Sequence, residues 1–503
     1  MRAIRNARPL GGHGPIDLSI DEGLITAILP AGIEAAGPDD LDLGGRFIMP
    51  GLWDEHVHFT QWAQHRRRID LSAAESAAEA AAIVRTSVGQ GDAHDEVVVG
   101  VGFRDGLWPD APTAALLDAI ALDRPIVLIS GDVHCVWLNS AALVHFGVDA
   151  AIADSCDGVL REDAAFAITA QLDSAGDDEL DRWVDEAARE AAARGVVGVV
   201  DLEMRWNHDD WQRRVAAGFD ALRVEFGIYP QHLDRAIEQG LRTGHAVAGT
   251  VAVGPLKVIT DGSLNTRTAY CCDPYPDAPA GSYGRLNVPP CELHPLLARA
   301  SDAGFDLAVH AIGDAANRLA LDVFAKLGRG GRIEHAQLVH EGDFARFAAL
   351  GVTASVQPEH LLDDRDVAER YWPGRTQRAF ALRSLLDAGA HVVLGSDAPV
   401  APLDPWVAIA AATTRTRDER PAFHPEQSIT VVEALAASTR TLVAMGEAAD
   451  LVVLEADPLA TDAVALRTLP VSATLLGGRV THADRSFDYS AMWENKNQRS
   501  SSI

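Results

Sequence analysis

PGLWDEHVH, residues 50–58, decides how the rest of the chain is read. Pro50 and Gly51 close one element, and LWDEHVH opens another, a short apolar run that ends in two histidines. Residues i and i+2 of a strand face the same side, so His56 and His58 can present both imidazoles to one ion. The same grammar returns down the chain in VVGVVDL (196–202), RVEFGIY (223–229), LKVIT (256–260), FDLAVHAI (305–312), RIEHAQ (332–337), VTASVQ (352–357) and HVVLGSD (391–397). Amphipathic stretches separate many of these runs. One is DELDRWVDEAAREAAARG (178–195), acidic at its start and stopped by Gly195. Buried strands alternating with helices predict an α/β protein, a (β/α)8 barrel whose chemistry sits where the strands end.

Outside that array the two ends of the chain share a hairpin pattern. IDLSI, GLITAIL and RFIMP are brief apolar runs broken by Gly, Pro and Asp. DLVVLEADP and SATLLGGRVTH repeat the pattern, with Gly477-Gly478 as the turn. Residues 1–48 and 446–485 are therefore expected to form one small β-sandwich, and 49–445 the barrel. The gap between the first two barrel strands is too long for one helix, so 64–190 is read as an insertion with its own elements, EVVVGVGF and PIVLIS among them. Residues 486–503 read as a polar tail that frays.

Composition narrows the function. A net charge of -29 repels phosphate backbones and anionic lipid, which argues against nucleic acid and membrane surfaces as partners and leaves a small-molecule substrate. It leaves a homo-oligomer open. Five cysteines, Cys135, Cys156, Cys271, Cys272 and Cys291, form no CxxC, and the N-terminus lacks an apolar signal core, so a cytoplasmic location is expected.

Further polar residues fall at strand exits. His310 ends FDLAVH, His335 ends RIEH and Asp397 ends HVVLGSD. One such histidine is most simply a hydrogen-bonded core residue; three endings in chain order point to a shared site. Neutral imidazoles and a carboxylate suit zinc and related divalent ions. Lys257, inside an apolar strand, needs a partner or a modification. It is either a structural lysine bonded to a carboxylate such as Asp261, or an N-carboxylated lysine whose carbamate can bridge two metals.

Taken together, these residues resemble the amidohydrolase superfamily, in particular its amidohydrolase 3 or YtcJ-like group. PGLWDEHVH resembles the family's first-strand motif, and LKVITDGSLNTRTA (256–269) its K-x-x-x-D-G-S-L-x-x-R-T-A signature. VHAIGDAA (309–316), IEHAQ (333–337), QPEH (357–360) and GSDAPVAPLDPW (395–406) follow in family order, and RPIVLISGDVHCVWLNSAAL (124–143) resembles the group's insertion motif. The resemblance implies a metal-centred barrel with a β-sandwich made from both chain ends. It implies that His56 and His58 bind the more buried metal with Asp397 nearby, that Lys257 bridges, and that His310 and His335 hold a second ion. Whether one ion or two are held stays open.

The reaction implied is hydrolysis of a non-peptide carbon–nitrogen bond. Metal-activated water, acidified to a pKa of about 7, attacks, and Asp397 takes and returns the proton. His134 and His360 are candidates to steady the oxyanion. Arg267 is a candidate for a substrate carboxylate, or a brace for its loop through Asp261. A hydrolytic deaminase on the same scaffold ranks second, because a glutamate three residues after His310, used by some deaminases, is here Gly313. A cyclic amidase would share the residues. A non-catalytic scaffold protein is the rival of a different class.

Overall fold

The computed structural model describes residues 3–12, 14–35, 37–90, 97–105, 108–131, 135–149, 157–161, 163–172, 176–276, 282–485 and 487. Eight parallel strands run in the order of the chain: Leu52–Val57, Val196–Asp201, Arg223–Ile228, Val251–Ile259, Leu307–Ala311, Gly331–His335, Val352–Val356 and Val392–Leu394. Each pairs with the next. The ring closes where Val57 bridges Ala398, with Asp397 N–H donating to His56 O at 2.7 Å and His58 N–H to Ala398 O at 2.8 Å. The expected α/β barrel is formed, and all eight strands read from the sequence belong to it. The helix expected over 178–195 spans Asp177–Ala193, and the chain turns at Gly195 with φ +84°.

The fourth strand differs from its reading. It begins at Val251, because Gly254 and Pro255, which ordinarily punctuate a strand, are absorbed by a slip in pairing between Phe226–Val253 and Ile228–Leu256. A bulge accommodates the missing proline N–H, and a Cβ at residue 254 would press on the Phe226 carbonyl.

Both chain ends build one further sheet. Ala3–Pro9, Ile16–Asp21, Leu24–Pro30 and Phe47–Pro50 join Leu451–Leu454, Val471–Leu476 and Arg479–Ala483. The seam is antiparallel, Val453 opposite Ile48. Gly477 (φ +55°) and Gly478 (φ +73°) form the two-residue turn, a conformation that only glycine takes freely at both positions. Ile4, Leu18, Ile25, Ile48, Leu451, Val453 and Leu475 fill the core. Asp450 ties this sheet to the barrel by taking both ends of the Arg223 guanidinium at 2.5 and 3.0 Å.

Residues Thr60–Val184 form a second compact unit. Its sheet runs Val159–Arg161, Cys135–Leu138, Ile126–Ser130, Val98–Phe103, Ile69–Asp70. Leu71, Val84, Phe103, Leu128 and Trp137 pack on one side of this unit. Among the described residues no helix is long and apolar enough to cross a membrane. Of the expected polar tail, 486 and 488–503 lie outside the described residues.

Candidate metal centre at the barrel mouth

The strand exits bring their histidines together. From the first strand, His56 Nε2 and His58 Nε2 each stand 3.3 Å from Asp397 Oδ1, at the exit of the eighth. His335, ending the sixth, lies between neighbours, its ring centre 5.1 Å from that of His56 and 4.4 Å from that of His310. Lys257, on the fourth strand, points its Nζ to within 3.3 Å of His56 Nε2. Two groups could each hold an ion, with the candidate ligand atoms inside each group all within 4.8 Å of one another: His56, His58 and Asp397, and His335, His360 and Asp397. Asp397 is common to both.

The backbone is held for this purpose. Asp397 (φ +57°) and His335 (φ +72°) occupy the left-handed region, where a residue other than glycine persists only if its surroundings hold it. Asp54 Oδ1 accepts Ser396 N–H at 2.9 Å and His56 N–H at 3.2 Å, tying the first and eighth strand exits. Gly395 lets them approach, since a Cβ there would sit 2.7 Å from His56 N. Asp261 accepts from Tyr270, Ile312 and Gly313 N–H at 2.9–3.1 Å and so fixes the loop after His310.

Burial sets the protonation states. It pushes His56 down to about 4, helped by the Lys257 cation, and His310 down to about 3 for the same two reasons. His335 is held well below the ordinary imidazole value by burial and then by His310. Lys257 is pushed down to about 8 by burial, against the pull of Glu334 and Asp397. Burial opposes ionisation of Asp397 too, but the surrounding imidazoles hold its carboxyl well below the usual carboxylate range. His58 differs: burial lowers it, but its contact with Asp397 raises it above the ordinary imidazole value. An anionic Asp397 beside the neutral imidazoles of His56, His310 and His335 suits a divalent ion. The fit has a second sign. His58 Nδ1, His310 Nε2, His335 Nδ1 and His360 Nε2 are buried with no hydrogen-bond partner, and buried polar atoms are ordinarily paired.

The chain matches the model described as "Amidohydrolase family" over residues 41–482. It belongs to the amidohydrolase family. This amidohydrolase is similar to the putative amidohydrolase YtcJ of Bacillus subtilis, 27% identical over 484 residues that cover 88% of this chain and 90% of the relative. It is similar to the N-substituted formamide deformylase of Arthrobacter pascens, 26% identical over 507 residues, covering 88% and 90%. Among solved structures it is similar to an uncharacterized metal-dependent hydrolase from Pyrococcus furiosus, with a TM-score of 0.77 and 26% identity, covering 91% of this chain and 99% of that one.

Not every residue singled out in the sequence of this amidohydrolase sits as expected. His360, read there as an oxyanion donor, stands among the ligand atoms, its Nε2 4.0 Å from Asp397 Oδ2. His310 lies beside His335 but outside both ligand sets. The alternative of Lys257 bonded to Asp261 is not what forms; the ammonium faces His56. Nor does Arg267 brace its loop through Asp261. Its exposed guanidinium lies over the Tyr371 ring, 5.5 Å from the centroid. His134 lies outside the described residues. Glu334 and Asp54 were missed. Glu334 meets His56 Nδ1 at 2.8 Å, and its one available signal was a charge inside an otherwise buried strand.

Proposed function

We propose that this amidohydrolase cleaves a non-peptide carbon–nitrogen bond of a small molecule in the cytoplasm, using a divalent metal, zinc by preference, and Asp397 as general base and acid. The observation that carries this reading is the sharing of Asp397 between two histidine sets. His56 and His58 would hold one ion, and His335 and His360, with His310 alongside, a second if two are taken. When bound, such an ion supplies Lewis acidity, which acidifies water and polarises an acyl carbonyl.

Asp397 supplies the proton traffic. Anionic at neutral pH, it takes a proton from the attacking water as oxygen bonds to the acyl carbon, and it returns that proton to nitrogen as the carbon–nitrogen bond breaks. Lys257, held down to about 8, has neutral amine available near neutrality, which carboxylation by carbon dioxide requires. Arg267 pairs with no carboxylate among the described residues and is proposed to receive an acidic substrate group. His134 keeps its proposed part as oxyanion donor.

N-formyl and N-acyl amines are the proposed substrates, a choice supported by the likeness to a formamide deformylase. Deamination through a glutamate at 313 is disfavoured, because a Cβ there would collide with the backbone of Tyr270. The test is a hydrolysis screen of zinc-loaded protein against N-formyl, N-acyl, cyclic-amide and aminated-ring compounds. Turnover on the first two, lost to a chelator and restored by zinc, is expected. Ammonia release without an amine product would turn the assignment to deamination. A folded protein that holds no metal and turns over none of these would make it a scaffold. Lys257→Ala should lower activity, with partial return on adding short carboxylic acids; unchanged turnover would make the lysine structural.

A further inference from the structure

We infer that Glu334 is a positioning residue that fixes the orientation and tautomer of His56, and that a relay of alternating charges from Arg332 through Glu55 to Arg440 holds Glu334 in place. The inference rests on the metal-hydrolase reading above.

His56 is gripped on both ring nitrogens. Nδ1 meets Glu334 Oε2 at 2.8 Å, while Nε2 faces Asp397 Oδ1 and Lys257 Nζ, both at 3.3 Å. An ionised carboxylate only accepts, so the proton of a neutral His56 belongs on Nδ1 and the lone pair on Nε2, toward the ligand set. The competing neighbour is the Gln357 amide, 3.4 Å from Nδ1. It donates to Ser355 O at 3.3 Å and is too distant to displace a carboxylate at 2.8 Å.

Glu334 is fully buried, and its other oxygen takes Arg332 Nε at 2.5 Å. The rest of the Arg332 guanidinium reaches Glu55 Oε2 at 3.0 Å, Glu55 O at 2.7 Å and Ser355 Oγ at 3.0 Å. Glu55 and Arg332 lie on the first and sixth strands, which are not neighbours, so this contact crosses the barrel interior. Both Glu55 oxygens are then held by Arg440, at 2.6 and 2.8 Å. Arg440 also meets Glu225 at 2.8 Å and lies 3.7 Å over the Trp53 ring.

The relay runs from a fully buried Glu334 to an outer end at Arg440, 28% exposed, and Glu225, 36% exposed. Three carboxylates face two guanidiniums, so one negative charge is left over in a column that ends at His56. Apolar residues of similar volume could fill this space with equal or greater stability. Stability therefore does not explain the column, whereas a locked imidazole with a more basic Nε2 does.

The test uses the full chain with 15N-labelled histidine, assigned by the signal lost in His56→Gln. In metal-free protein His56 should carry its proton on Nδ1. Glu334→Gln should weaken zinc affinity, measured by chelator competition, by about 10- to 100-fold. If that variant fails to fold, Glu334→Met combined with Arg332→Met removes both charges. It should fold, lose the Nδ1 preference and bind zinc more weakly. A folded double variant with unchanged His56 shifts and unchanged zinc affinity overturns the inference. A wild-type chain that takes up no zinc overturns the metal reading instead, and the tautomer measurement in metal-free protein then judges Glu334 alone.

Discussion

At the floor of the barrel Glu55, Arg332 and Glu334 each face opposite charge within 3.0 Å. At the mouth, His58, His310, His335 and His360 each bury a ring nitrogen without a hydrogen-bond partner. The floor is complete in itself, and the mouth is complete only with something added. An unpartnered buried donor or acceptor costs about 1–3 kcal/mol, and four such histidines at one barrel mouth, with His360 Nε2 4.0 Å from Asp397 Oδ2, mark a ligand site rather than a packing fault. The sandwich offers a third case, since its centre is a cluster of apolar side chains.

The largest expected effect breaks the mouth alone. Asp397→Asn should preserve the fold and most metal while lowering turnover by about 10²- to 10⁴-fold. Near wild-type turnover in single-turnover assays would remove Asp397 from proton transfer. Breaking the floor should appear as stability instead. Glu55→Gln leaves Arg332 paired only with Glu334 and Arg440 only with Glu225, and losing a hydrogen bond to a charged group costs about 1.5–3 kcal/mol; a urea midpoint equal to wild type would show that the floor is not held by this pairing. The sandwich should respond through packing only. Leu451→Ala, at a fully buried position, should cost about 2–5 kcal/mol and leave turnover per folded molecule unchanged, so a fall in that turnover would couple the sandwich to the site.

The smallest effect lies on the barrel exterior, at the helix Val431–Ala436. Thr430 and Glu433 form a reciprocal cap there. The Glu433 carboxyl is held down to about 2 by the Thr430 N–H and then by Arg383. A carboxylate favoured in the folded state stabilises it fully above the unfolded value near 4.5, and that contribution is lost as pH falls through about 2. Glu433→Gln should therefore flatten the acid limb of a thermal-melt series slightly while changing little at pH 7. An unchanged limb would assign the acid sensitivity elsewhere.

Periodicity and strand endings in the sequence were enough for the parallel barrel, the pairing of both chain ends and the convergence of His56, His58, His335 and Asp397. Those features are local: alternation sets which way a side chain faces, and a parallel barrel carries every strand end to one rim. What only the tertiary structure decided depends on partners distant in the chain. His360 stands beside Asp397, among the groups that could hold an ion, because its helix delivers it there. Arg267 came to rest over Tyr371 and not on Asp261. Glu334 acquired its part from His56, 278 positions away, and from an arginine on its own strand. The period of a strand says which residues point inward, but which of them meet at the centre is set by the closure and stagger of the whole ring.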